Sequence, residues 1–283
     1  MEITIISGPT CVGKTSTALD IAQKNNAQII SCDSVQVYKY MNIGSAKASK
    51  EEMQGIPHHL IDVCEPSENF DISKYIEHAK KALEKIKSAN QNVVIVGGSG
   101  FYLKSWFSAV TDNIAVTKET RNYVKTLSNE KLVEELFKLD PDASKFIDIH
   151  NPRRVSRALE RCIESKLSIK EQLENFKKLP CPYGDLNRKF IMLDCEKEEL
   201  FNRITARTKA MLKNGLIEEC EFLLKKDVLK NPSAALAIGY KECFAAIQSD
   251  NVNKETLCEE IIKNTISLVK KQRKFFANPV FSV

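Results

Sequence analysis

Gly8-Pro9-Thr10-Cys11-Val12-Gly13-Lys14-Thr15 has the spacing G-x-x-x-x-G-K-[ST] of a phosphate-binding P-loop. The apolar run Ile3-Thr4-Ile5-Ile6 before it reads as a buried strand. Residues 15–24 after it read as a helix with Ala18, Leu19, Ile21 and Ala22 toward a core. In that setting backbone N–H groups converge on phosphate oxygens, and the helix N-terminus adds partial positive charge. Lys14 supplies a point charge, and Thr15 a hydroxyl for a magnesium ion (Mg2+). The loop is of the ATP-binding, nucleotide-binding type, but it does not say which phosphate compound it holds.

Outward from the loop, strand patterns at 2–7, 27–32, 59–63 and 92–97 alternate with the first helix and a longer one near 72–90. This order predicts an α/β fold, a P-loop NTPase-like core with a parallel sheet flanked by helices. From 112 to 184 the pattern is helical alone, at 117–127, 129–138, 152–164 and 168–177, and closes on Leu179-Pro180-Cys181-Pro182-Tyr183-Gly184. Lys189-Phe190-Ile191-Met192-Leu193 then reads as a returning strand, followed by helices at 196–213, 216–225, 240–248 and 254–276. The chain is therefore expected to be a catalytic core of residues 1–111 and 185–283, with an all-helical domain inserted at 112–184.

Composition narrows the class. Of 283 residues, 43% are hydrophobic and 28% charged, as in globular proteins. No apolar run approaches a membrane span, and Met1 leads straight into the first strand, so no signal peptide is expected. Nine scattered cysteines without a C-x-x-C pair read as reduced thiols of a cytoplasmic protein. Only four histidines are present, so a Cys/His zinc site is not expected, and His58-His59 read as packing or hydrogen-bonding residues. The net charge of +5 is unevenly spread: residues 1–110 balance 11 lysines against 11 acids, and all nine arginines lie at 121 or later. Arginine suits bidentate phosphate contacts, so one reading of the later chain is an anionic partner; ordinary solvated surface is the alternative.

Several segments carry candidate chemistry. Ile29-Ile30-Ser31-Cys32-Asp33 places a carboxylate at a strand end, where ligands of open sheets bind. Asp33 could hold magnesium through water, accept a proton, or simply cap a turn. The strand at 93–96 runs into Gly97-Gly98-Ser99 rather than into the aspartate of many P-loop ATPases, so Ser99 offers either a substrate hydrogen bond or only a turn. Asn151-Pro152 is an N-cap and first-turn proline. It opens a helix with Arg154, Arg157 and Arg161 on one face, Arg153 at its edge, and Val155, Leu159 and Ile163 opposite. That stripe fits nucleic-acid phosphates, or a solvated face paired to Glu160 and Glu164. Arg203 and Arg207 share a helix face, and Lys270-Lys271-Gln272-Arg273-Lys274 is a candidate polyanion contact or solubilising charge.

Taken together, these segments resemble the tRNA dimethylallyltransferases, also called tRNA isopentenyltransferases. The likeness rests on residues 8–15, Asp33-Ser34-Val35-Gln36, YKYMNIGSAK at 38–47, PHHLID at 57–62 and residues 97–102. It continues through NPRRVSRALE at 151–160, Ala237-Ile238-Gly239-Tyr240-Lys241-Glu242 and residues 270–273. The resemblance implies transfer of a dimethylallyl group from dimethylallyl diphosphate to N6 of the adenosine 3′ of the anticodon. It implies that residues 8–15 bind the diphosphate with Thr15 on magnesium, that Asp33 is the general base, and that Ser99, Lys14 and Arg207 act beside it. It implies tRNA contacts at Asp33, Ser34, Val35, Gln36, Ser99 and Arg121. Further contacts are implied at Arg153, Arg154, Val155, Ser156 and Arg157, at residues 237–242, and at Lys270, Lys271 and Arg273. The partners are then the tRNA anticodon stem-loop and the prenyl donor, with no membrane, and the chain is expected to be a monomer. Serine for threonine at 45 and 99, and alanine for proline at 48, are mild departures. A small-molecule kinase using ATP, or a non-catalytic tRNA-binding module, are the competing readings.

Overall fold

The apolar runs become the middle of a five-stranded, fully parallel sheet, ordered His58–His59 (β3), Ala27–Ser31 (β2), Asn92–Val96 (β4), Ile3–Ser7 (β1) and Arg188–Met192 (β5). The computed structural model describes residues 1–112 and 114–281. In chain order the core begins with β1 (Ile3–Ser7), α1 (Lys14–Lys24), β2 (Ala27–Ser31), β3 (His58–His59), α2 (Ile72–Ser88), β4 (Asn92–Val96) and α3 (Gly100–Lys104). Every residue of β2 is buried, as parallel strands covered on both faces require. Alternate side chains divide between the faces. Ile3, Ile5, Ile30, Val93 and Ile95 pack with Tyr75, Ala79 and Leu83 of α2. Ile6, Ile29 and Val94 pack with Ala18, Leu19 and Ala22 of α1. Each fully buried isoleucine contributes about 1.5–3 kcal/mol, so both helices are fixed to the sheet that carries the loops between them.

One expected strand is corrected. Of the run 59–63 only His59 is in the sheet, in a strand that starts at His58, because Leu60 (φ 62°) and Asp62 (φ 55°) adopt left-handed backbone that an extended strand excludes. His59 Nε2 instead bonds Gln28 Oε1 at 2.6 Å, and His58 Nδ1 bonds the Ile56 carbonyl at 2.8 Å.

Two compact units are present: Met1–Phe107 with Pro182–Val283, and Ser108–Cys181. The second unit holds α4 (Lys118–Thr126), α5 (Asn129–Leu139), α6 (Pro152–Ser165) and α7 (Ile169–Lys177) around Val124, Leu136, Val155 and Leu159. Its ends fall a few residues before the expected 112 and 184. Tyr183 stacks on Trp106 with centroids 3.8 Å apart, which keeps the end of the Pro-rich connector with the core. Residue 113 of the expected insertion and residues 282–283 of the expected core lie outside the described residues. The chain then returns through β5 (Arg188–Met192) to α8 (Lys197–Lys213), α9 (Leu216–Leu224), α10 (Pro232–Ala235), α11 (Tyr240–Gln248) and α12 (Lys254–Phe276). Among the described residues no helix is long and apolar enough to cross a membrane.

Candidate active site

The loop of residues 8–13 turns out of β1 against the exit of β5. Gly8 has φ +145°, and a Cβ there would lie 2.1 Å from the Leu193 carbonyl oxygen, so only glycine fits. Gly13 (φ 90°) is the N-cap of α1, leaving the helix amides open to an anion. Lys14 Nζ donates to the Pro9 carbonyl at 2.6 Å. Arg207 Nη1 donates to Thr10 Oγ1 at 3.0 Å, and Arg203 Nη1 to the Cys11 carbonyl at 3.3 Å. Burial holds the Lys14 ammonium down, at a pKa of about 8; Asp33 opposes that shift and Arg207 adds to it. Val12 is 8% exposed and packs on Leu200, Ile204 and Val269, so within the loop it offers an anion its backbone rather than its side chain. Thr15 is exposed in the first turn of α1.

The end of β2 supplies the acid. Cys32 N donates to the Val96 carbonyl at 2.7 Å, and a Cβ on Gly97 would meet the Cys32 carbonyl oxygen at 2.0 Å. This approach puts Asp33 beside the glycine turn. Asp33 Oδ1 accepts from Val35 N at 2.8 Å and Gln36 N at 3.2 Å, fixing the carboxylate in its own turn. Ser99 Oγ accepts from Ser34 N at 2.9 Å and donates to Ser34 Oγ at 3.1 Å. Ser99 thus locks the two turns together as well as facing the cavity.

These groups line one cavity of about 690 Å³, within the range of small-molecule sites. Thr10, Cys11, Lys14 and Arg207 stand there with Asp33, Ser34, Val35 and Ser99. Ile204, Met211, Ile261, Leu268 and Phe275 make its apolar wall. Residues 237–239 and Lys271 also line it.

Other expected site residues are placed elsewhere. Tyr240 is fully buried and donates to Glu219 Oε1 at 2.7 Å; burial, with the Glu219 carboxylate beside it, pushes its phenol up, so it remains a donor. Glu242 is buried and accepts from Gly239 N at 2.7 Å, which caps α11. Both side chains are thus engaged within the fold, while Lys241 is exposed. Arg273 is held by Asp194 at 2.6 Å and 3.1 Å, an engaged cation rather than a free one. Lys270 is exposed and does not line the cavity. In the helical unit, Asn151 caps α6 as its position after a loop and before Pro152 predicts. Arg121, Arg153, Arg154 and Arg157 are exposed and Ser156 half-buried, with Arg157 2.8 Å from Glu160. Val155 is 1% exposed and packs in the helical core, on the apolar face of α6.

Gln272 joins the site from α12 without a motif of its own in the sequence. Its Oε1 accepts from Thr10 N at 3.0 Å and its Nε2 donates to the Gly98 carbonyl at 3.0 Å, so one side chain bridges the P-loop and the glycine turn. A Cβ on Gly98 would lie 2.7 Å from that Nε2. The one sequence signal of Gln272 is its place within the basic run 270–274.

Comparison with known proteins gives a consistent picture. A family model described as IPP transferase matches residues 36–279. A tRNA dimethylallyltransferase of Opitutus terrae is 42% identical over 275 residues, covering 97% of this chain and 89% of that protein. The crystal structure of the full-length tRNA isopentenylpyrophosphate transferase of Bacillus halodurans is similar with a TM-score of 0.70 and 31% identity, over 98% of this chain and 87% of that one. A eukaryotic dimethylallyltransferase acting on tRNA superposes with a TM-score of 0.84 and 26% identity, over 98% and 70% of the two chains. With the family model spanning most of the sequence and a full-length relative well above 30% identity, the chain belongs to the IPP transferase family.

Proposed function

We propose that this chain transfers a dimethylallyl group from dimethylallyl diphosphate to N6 of the adenosine 3′ of the anticodon in tRNA, releasing diphosphate. The observation that carries this reading is the single cavity in which Thr10, Lys14 and Arg207 stand with Asp33 and an apolar wall. The cations and P-loop amides suit a diphosphate, the wall suits a five-carbon chain, and Asp33 suits a proton acceptor. As N6 bonds to C1 of the donor, the C1–O bond breaks and its electron pair leaves with the diphosphate. The N6 proton passes to Asp33. An exocyclic amine is a weak nucleophile and an allylic diphosphate a good electrophile, so most of the catalysis lies in stabilising the leaving group. Lys14 and Arg207 do this by charge, and the amides at the start of α1 by dipole. The acceptor base must leave the loop stack to reach the cavity.

Magnesium, when bound, supplies further neutralisation of the departing diphosphate. Among the described residues no group of three or more His, Cys, Asp or Glu stands together as a ligand set. A magnesium ion that keeps its waters and takes substrate phosphate oxygens needs few protein ligands, and the exposed Thr15 hydroxyl fits as one. We further read the protein as a cytoplasmic monomer; its nine free cysteines fit a reducing compartment.

The exposed arginines of α6 are assigned to tRNA phosphates. Arg157→Ala should weaken tRNA binding and lower its salt slope by about one, with donor affinity unchanged; titrations of both ligands at several salt concentrations check this. For the reaction itself, labelled donor incubated with tRNA should leave label on the RNA. No transferred label would contradict the reading.

A further inference from the structure

Glu219 lies on α9, outside the cavity lining, yet it binds the backbone of a loop that forms part of that lining. Its carboxylate accepts from three consecutive amides: Asn42 N at 3.0 Å, Ile43 N at 2.8 Å and Gly44 N at 3.2 Å. The Tyr240 hydroxyl donates to the same carboxylate at 2.7 Å. Three successive amides form a concave anion-binding nest, and here a side chain of the same chain fills it. The residues so fixed lead directly to the site. Gly44 and Ser45 line the cavity. Gln36 Nε2 donates to the carbonyls of Ser45 and Ala46 at 3.4 Å each. Gln36 N in turn donates to Asp33 Oδ1 at 3.2 Å. The Tyr240 ring backs the same turn, since a Cβ on Gly44 would lie 2.6 Å from it. Lys47 closes the loop from the other side, bonding the Tyr38 carbonyl at 2.8 Å, Asn42 Oδ1 at 2.9 Å and Asp62 Oδ1 at 2.6 Å.

We propose that Glu219 is a positioning residue for the acceptor: by holding the amides of Asn42, Ile43 and Gly44 it fixes the 42–46 loop, and through Gln36 the turn that carries Asp33. This rests on the prenyl-transfer reading. The donor side, at Thr10, Lys14 and Arg207, has no bond to this loop among those described, so loss of Glu219 separates the two substrates. A merely stabilising carboxylate would lower the melting temperature and the active fraction without changing either KM.

The test compares wild type, Glu219→Gln and Glu219→Ala in full-length form. Steady-state transfer is measured with each substrate varied, donor Kd by titration, and melting temperature alongside. Misplacing reacting groups by about 1 Å costs about a hundredfold, so kcat/KM for tRNA should fall about ten- to hundredfold in Glu219→Ala. Donor Kd should stay within about twofold of wild type. Glu219→Gln, which keeps one acceptor oxygen and the side-chain volume, should recover part of the loss, and it carries the test if the alanine variant does not fold. Unchanged kcat/KM for tRNA per active protein, or an equal loss of donor binding, would overturn the role. A wild type that transfers no prenyl group would instead remove the reaction itself, and the role with it.

Discussion

Replacing Asp33 with asparagine should lower kcat by about two to four orders of magnitude, the span that general-base removal commonly covers. Asparagine keeps an Oδ1 that can accept from Val35 N and Gln36 N, the two bonds that hold the turn. The fold and the cavity wall should therefore persist, and the loss should fall on chemistry. Donor affinity, measured below the pKa of Lys14, should stay close to wild type. A second effect follows from charge. Asp33 opposes the depression of the Lys14 pKa, so removing it should let Lys14 lose its proton at a lower pH than in wild type. Stopped transfer with intact donor binding is the pattern to look for; a variant as fast as wild type would remove Asp33 from the mechanism.

Lys14→Ala should be comparably severe, but on the other substrate. Removing one preorganised charge from a water-poor site costs about a hundred- to a thousandfold, and here it should appear in kcat/KM for the donor far more than in tRNA affinity. The pH dependence is set by the same group. Lys14 titrates near 8 in the free protein because burial disfavours its charged form. Below that pH it is cationic and should attract the donor's diphosphate. Above it the charge is lost, so donor affinity should weaken as pH rises through about 8. A bound diphosphate favours the charged form, so binding above this pH should take up a proton, readable by calorimetry in buffers of different ionisation enthalpy. Lys14→Ala should abolish both the slope and the proton uptake. Tighter donor binding above pH 8 in wild type would contradict the assignment.

What the sequence made legible follows from which forces are local. Residues 3–6, 8–15 and 15–24 announce strand, loop and helix because apolar period, glycine spacing and amphipathicity are all short-range signals. Asn151-Pro152 announces α6 in the same way, and Asp33 is legible because the end of a parallel strand has a known place in such folds. Less legible was anything decided by backbone outliers or by distant partners. Leu60 and Asp62 sit in an apolar stretch that reads as a strand, but their positive φ ends it. Tyr240 and Glu242 look like contact residues in a distinctive segment until burial and the bonds to Glu219 and Gly239 claim them. Gln272 bridges residues more than 170 positions away, and Glu219 meets Asn42 across 177 positions. No local pattern marks a side chain whose role is to accept another segment's amides.

We read the loop of residues 8–15 as holding a leaving group, with the nucleotide as the acceptor. The most direct measurement is to incubate the protein with dimethylallyl diphosphate, magnesium and tRNA bearing an adenosine 3′ of the anticodon, then digest the tRNA and identify its nucleosides by mass spectrometry. The expected product is N6-isopentenyladenosine at that one position, with one diphosphate released per nucleoside formed. An unmodified adenosine after prolonged incubation, or saturable phosphoryl transfer from ATP by the same preparation in its place, would contradict it.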